Sequence, residues 1–301
     1  MDLWIIATFS AAFFQTLRFM LQKVLASGAL SPTGSTFARF AYAMPAGWLV
    51  LAVYLWSTGA EIPAIGSDLW IWGAIGGLGQ ILATVFVVMI FKSRSFAVGI
   101  TLKKTEVLQT ALIGSMFFAE AISPSGWLAI GIGMVGVLLL TEGSGLGVIK
   151  QLGSRAVLLG LASGFFFAIA GVGYRTATLA VETGDPLLRA GIGMAVVSLM
   201  QTAALAVWLR LREPGQLSAV WQARRVAVWL GLTSMAGTLS WFTAFTLQVA
   251  AYVYAVGQVE LIFSLMASVL FFRETVSRRE VLGIAVLTLS ILVLVLAGAT
   301  S

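Results

Sequence analysis

The chain has 301 residues, 59% of them hydrophobic and 10% charged, with a formal net charge of +6 at pH 7. Soluble domains carry about a quarter charged residues, so a soluble core, a disordered chain and a fibre are all excluded, which leaves a multi-pass membrane protein. The absence of Cys and His removes disulfides, thiolate nucleophiles, thiolate metal sites and the commonest general base and metal ligand.

A bilayer-crossing helix needs about 20 mostly apolar residues. Such stretches run at 3–25, 36–57, 69–91, 96–118, 125–141, 156–180, 190–209, 226–248, 251–272 and 281–298. They are continuous apolar runs, not the alternating ~10-residue segments of a membrane barrel. The expected fold class is therefore an all-α integral membrane protein with ten transmembrane helices. The loops leave no room for a soluble domain. The start, Met1-Asp2-Leu3-Trp4, lacks a basic region and no cleavage site follows it, so the first stretch is expected to be a retained helix.

In the first stretch Gln15, Arg18 and Gln22 recur at i, i+3 and i+7 and share one face. A polar stripe on an apolar helix is expected to face a water-filled cavity, with an interhelical hydrogen-bond zipper as the rival reading. Lys23 and Arg39 fall within a turn of expected helix ends and read as side chains that snorkel to the interface. Trp4, Trp70, Trp72 and Trp127 read as interfacial anchors. Gly73/Gly77, Gly160/Gly164 and the glycines Gly131, Gly133 and Gly136 permit close helix contact, expected within the monomer.

The fourth stretch places Lys103 and Lys104 roughly 10–12 Å below its start, at 1.5 Å per residue. A charge at a helix centre costs at least ~2.5–3.5 kcal/mol unless paired or hydrated, so each is a functional candidate. Glu106 lies at i+3 from Lys103, within ion-pair reach. Arg175 sits near the outer end of the sixth stretch and Trp241 in the middle of the eighth. Tyr252, Tyr254 and Gln258 open the ninth, and both cavity lining and ordinary packing are open to the aromatics. Glu260 has no basic neighbour at i±3 or i±4, which makes it a candidate proton carrier or a neutral acid hydrogen-bonded between helices. Glu106 and Glu260 are thus the proton-coupling or counter-ion candidates. Gln15, Arg18, Gln22, Lys103, Lys104, Arg175, Trp241, Tyr252 and Gln258 are the substrate-binding candidates. No catalytic, metal or cofactor site is expected, and no Gly-rich phosphate loop is present.

The loops after the odd-numbered stretches carry Lys92, Arg94, Lys150, Arg155, Arg210, Arg212, Arg224, Arg225, Arg273, Arg278 and Arg279, whereas the other side carries Arg189 alone. By the positive-inside rule both termini are expected outside the cytoplasm, in a bacterial inner membrane. The chain also repeats at an offset of 154: Glu106 aligns with Glu260, Phe117-Phe118 with Phe271-Phe272, Glu120 with Glu274, Ser123 with Ser277, Ala97 with Ala251 and Pro32 with Pro186. A five-helix unit is odd, so two copies, 1–145 and 146–301, are expected to be inverted in the membrane.

The chain resembles the drug/metabolite transporter superfamily, specifically its ten-helix EamA-type members. The resemblance is carried by Arg39-Phe40, by Lys104-Thr105-Glu106 with Phe117-Phe118-Ala119-Glu120-Ala121-Ile122-Ser123, and by Gly257-Gln258-Val259-Glu260 with Phe271-Phe272-Arg273-Glu274-Thr275-Val276-Ser277. It implies a central cavity lined by helices 1–4 and 6–9, with helices 5 and 10 outside. Two features depart from the family. The basic loops lie on the side opposite to many ten-helix members, and the first stretch has no acidic residue. The expected function is secondary active transport of a small polar metabolite by alternating access, proton-coupled or exchanging. The surplus of basic over acidic residues in the spans points to an organic anion or zwitterion. An amino-acid or other zwitterion exporter is the alternative, and a membrane-embedded enzyme is the alternative of another class. The expected partners are a small-molecule solute and the lipid bilayer, with no nucleic acid, in a monomer or homodimer.

Overall fold

A computed structural model describes residues 2–26, 28, 30–93, 103–140, 155–272 and 278–298. The helices are α1 (Leu3–Ala26), α2 (Pro32–Thr58), α3 (Ser67–Ser93), α4 (Glu106–Phe117), α5 (Pro124–Leu140), α6 (Arg155–Leu179), α7 (Pro186–Arg212), α8 (Gln216–Gln222), α9 (Arg224–Leu247), α10 (Ala250–Val256), α11 (Val259–Phe272) and α12 (Arg278–Gly298). Among the described residues the only strand-like pairing is a single bridge between Ile65 and Val181. Six helices, α1, α2, α3, α6, α7 and α9, are long and apolar enough to cross a membrane, and shorter apolar segments lie in α5, α10–α11 and α12. The basic residues Arg94, Lys150 and Arg273 and the repeat positions Ala97, Glu274 and Ser277 lie outside the described residues.

Local chemistry sets the helix starts. Ser31 caps α2 by accepting from the Gly34 amide, and Asp185 caps α7 by accepting from the Leu187 and Leu188 amides. Each cap is followed by a proline at the first helical position, where its missing N–H costs nothing and its fixed φ suits the helix. Arg210 and Arg212 close the last turn of α7, where positive charge meets the negative end of the helix dipole.

The fourth and ninth stretches differ from the continuous helices expected. Lys103 is helical, Lys104-Thr105 form a turn, and α4 restarts at Glu106. Gly257-Gln258 likewise separate α10 from α11. At both breaks amides turn back to the third preceding carbonyl, Val107 to Lys104 at 3.4 Å and Glu260 to Gly257 at 3.1 Å. Such tightening marks a helix end. Both glutamates therefore stand in the first turn of a new half-helix, where a negative charge is favoured by the dipole. Gly257 also meets a packing demand: a Cβ there would sit 2.6 Å from the Trp241 ring.

The helices pack α1 with α9, α3 with α6, α2 with α9 and α7, α4 with α6 and α10, and α5 with α12. Glycines let these pairs approach: a Cβ on Gly173 would meet Gly76 Cα at 3.1 Å, and one on Gly136 would meet the Leu287 amide at 2.9 Å. Gly73 and Gly77 lie against Val197 and Gln201 of α7, so these glycines pack within the chain. The outside is apolar, with Trp56 86% and Leu211 73% exposed, while Arg18, Lys103 and Lys104 are among the largest fully buried side chains. This inverted distribution suits lipid outside and a polar centre.

Candidate functional site

The polar centre forms where α1 meets the two breaks. Lys104 Nζ lies 2.5 Å and Lys103 Nζ 3.2 Å from Glu260 Oε2. The same lysines lie 3.7 Å and 3.4 Å from Glu106 Oε1. Lys104 also donates to the carbonyl of Gly257 at 3.4 Å. Glu260, unpartnered within its own helix, is thus paired across the molecule, which corrects the view of it as an isolated acid. The pairing could not be read from α11 alone, because both cations come from the other break.

Gln15 ties this cluster to α1 and α9. Its amide nitrogen donates to Glu260 Oε2 at 2.9 Å, and its oxygen accepts from Arg18 Nη2 at 3.2 Å and Trp241 Nε1 at 3.0 Å. Arg18 also lies 4.1 Å from the centre of the Phe19 ring, and Lys103 lies between Phe19 and Phe167, at 5.2 and 4.8 Å. Aromatic faces are favourable company for cations away from water. Gln22 is fully buried, and among the described residues neither of its amide atoms has a partner.

Arg39 belongs to the centre as well. It is 3% exposed, donates to Thr84 at 3.1 Å and lies over Phe40. The snorkelling expectation fails because α2 starts at Pro32, two turns before Arg39. The Ser31-Pro32 cap in the sequence was the signal that could have placed that start. A closed cleft with no room for a water molecule is lined by Gln15, Arg18, Arg39, Thr233, Ser234, Gly237, Thr238 and Trp241. Next to it Tyr174, Gln80 and Gln201 form a buried hydrogen-bond triangle, which the sequence reading did not single out.

Three expected site residues lie elsewhere. Arg175 donates to the Phe245 and Gln248 carbonyls, both at 2.7 Å, and pairs with Glu120 at 3.2 Å. It caps the end of α9 and closes a latch at one end of the bundle. Burial pushes the Glu120 carboxyl up, against the opposing pull of the Arg175 guanidinium. Tyr252 hydroxyl accepts from the Ser123 amide at 2.9 Å at that same end. Gln258 is buried against Gly133 and Ser290, on the α5–α12 side. The structure therefore brings together Gln15, Arg18, Lys103, Lys104, Glu106, Trp241 and Glu260, adds Arg39, Thr84 and Ser234, and leaves Arg175, Tyr252 and Gln258 apart. Of the tryptophan anchors, Trp70 is half exposed, whereas Trp72 packs edge-on against Phe118.

A solved crystal structure described only as "Crystal structure of protein" superposes with a TM-score of 0.69 at 17% identity, covering 98% of this chain and 96% of that one. At that identity the likeness shows a shared fold. No curated protein matches the chain. Residues 154–296 match the EamA-like transporter family, a family of membrane transporters, not enzymes. The resemblance read from the sequence is met over residues 154–296, and the chain is a multi-pass integral membrane protein similar in that segment to the EamA-like transporter family.

Proposed function

We propose that the chain is a secondary transporter that moves a small polar solute by alternating access between two inverted five-helix halves, 1–145 and 146–301, with ten membrane crossings in all. The observation that carries this reading is the buried ion cluster at two helix interruptions, where cations from one half of the chain meet a carboxylate from the other. Broken helices at the membrane midplane commonly supply the solute and ion sites of secondary transporters. The offset of 154 supports the repeat: it carries Pro32–Thr58 onto Pro186–Arg212, the cap Ser31 onto Asp185, and Glu106 onto Glu260. It also exchanges the α1–α9 pair with the α6–α3 pair, as a two-fold relation between the halves requires.

In this reading the Lys–Glu contacts hold the halves together in one conformation and exchange partners when the halves rock. Glu260 serves as counter-ion to the lysines, which favours solute exchange over proton carriage by that residue. The net positive centre favours an organic anion over a zwitterion. The chain sits in a bacterial inner membrane with both termini outside the cytoplasm, a reading supported for the termini by the basic loops.

The test is counterflow. Purified protein in proteoliposomes preloaded with unlabelled small metabolites should take up the matching labelled solute saturably. Failure across a broad panel of anions and zwitterions, or recovery of the solute covalently changed, would sink the transporter reading. Full retention of exchange when both lysines are replaced by Gln would sink the role of the cluster.

A further inference from the structure

We propose that Arg18, Arg39 and Ser234 form a subsite for the oxyanion groups of a small organic dianion. The inference rests on the transporter reading and deepens it by naming the solute's charge. Among the described residues, Arg18 Nη1, Arg39 Nε and Ser234 Oγ are buried without a hydrogen-bond partner. Buried polar groups are nearly always partnered, so three orphans on residues that line one pocket call for an explanation. The residues come from three helices, α1, α2 and α9, and line the same space. Arg18 and Arg39 are 2% and 3% exposed, so bulk water does not satisfy them. Each guanidinium is otherwise held in place, Arg18 by Gln15 and Phe19, Arg39 by Thr84 and Phe40.

Charge accounting separates the arginines from the lysines. Lys103 and Lys104 share Glu106 and Glu260, so these four groups offset one another. Among the described residues neither Arg18 nor Arg39 forms an ion pair. Two positive charges are left in a buried, low-dielectric centre. A dianion neutralises both, a monoanion leaves one, and a zwitterion leaves both. The planar guanidinium fork matches the paired oxygens of a carboxylate or phosphate, which an ammonium does not. Trp241 supplies an apolar wall for the body of the solute. The pocket is narrow, so the solute is small and enters only when α9 moves from α1 and α2.

The experiment uses the purified full-length protein with succinate, glycerol phosphate, lactate and alanine. Thermal-shift titration measures binding and proteoliposome counterflow measures exchange. Succinate or glycerol phosphate is expected to bind roughly tenfold or more tightly than lactate or alanine, and the comparison between them distinguishes a dicarboxylate from a phosphate ester. Arg18→Lys and Arg39→Lys keep the charge and lose the fork, and should each weaken dianion binding by roughly tenfold. Ser234→Ala changes one small side chain and should weaken it by a few-fold, which keeps the test decisive if an arginine variant does not fold. Equal binding of lactate or alanine, or unchanged dianion affinity in Arg39→Lys and Ser234→Ala, overturns the subsite. Saturable alanine exchange without dianion binding overturns the subsite and leaves the transporter standing. Arginine-dependent dianion binding without exchange of any solute supports the subsite and overturns the transporter.

Discussion

The two interrupted helices carry the same carboxylate and different neighbours. At the first break Lys103 and Lys104 stand beside Glu106; at the second the corresponding positions are Gly257 and Gln258, which have no charge. Glu106 takes its lysines from its own segment, at 3.4 and 3.7 Å, and among the described residues each glutamate leaves one carboxylate oxygen without a hydrogen-bond partner. Glu260 takes the same lysines from across the molecule, at 3.2 and 2.5 Å, and adds Gln15 at 2.9 Å. The better-held carboxylate is the one with no cation of its own. The centre is therefore a clasp between two parts of the chain, and the asymmetry decides which glutamate closes it.

Neutralising each glutamate in turn separates the two breaks. Removing one partner of a buried ion pair costs about 3–5 kcal/mol, because the other charge stays buried. Glu260→Gln should approach that loss in denaturation of the purified protein, whereas Glu106→Gln should lose less than half as much, because its contacts are longer. Equal losses would mean that the lysines do not distinguish the two carboxylates.

A smaller effect is expected at the second break itself. Gly257→Ala would place a methyl 2.6 Å from the Trp241 ring, and overpacking of this kind costs about 1–3 kcal/mol. The same measurement on Gly131→Ala, where a Cβ meets nothing within 4 Å, should show little loss. Similar losses for the two would mean that the Trp241 contact does not shape the break.

The smallest effect concerns the caps that set the two long helices α2 and α7. Asp185→Ala should cost about 1 kcal/mol of stability, the usual value of an N-cap. Burial pushes the Asp185 carboxyl up, but the Tyr54 hydroxyl at 2.5 Å and the Leu188 and Leu187 amides outweigh it and hold it below the usual range. A carboxyl held low in the folded state adds stability above the ordinary aspartate range, ~3.9, and that stability is lost as pH falls through its native value. Thermal stability measured against pH should therefore fall less steeply at the acid end in Asp185→Asn than in the natural chain.

Much of the scaffold was legible in the sequence. The apolar runs gave the membrane class, but the Ser31-Pro32 and Asp185-Pro186 pairs, which mark the starts of α2 and α7, lie before the runs at 36 and 190 and were passed over. The shared register of Glu106 and Glu260 picked out the two carboxylates before any contact was known. The interruptions were not legible. No proline marks either break, and although Lys103-Lys104 and Gly257-Gln258 interrupt the apolar pattern, each interruption is too short to divide a run that is otherwise long enough to span. Arg39 was misplaced because the apolar run begins five residues after the cap Ser31. Gln258 and Tyr252 lie on a segment whose two ends face different neighbours, and a helix-level reading cannot divide it. The pairing of Glu260 with lysines more than 150 residues away exists only in the packed molecule.

The most direct test of alternating access uses the absence of cysteine from the chain. Ser234→Cys places a single thiol in the buried pocket between α1, α2 and α9. Its reaction with a membrane-impermeant thiol reagent can be followed from each face of oriented vesicles in turn. The account predicts slow labelling from both faces, with a bound dianion changing the balance between them. Labelling from one face only, whatever solute is present, would contradict it.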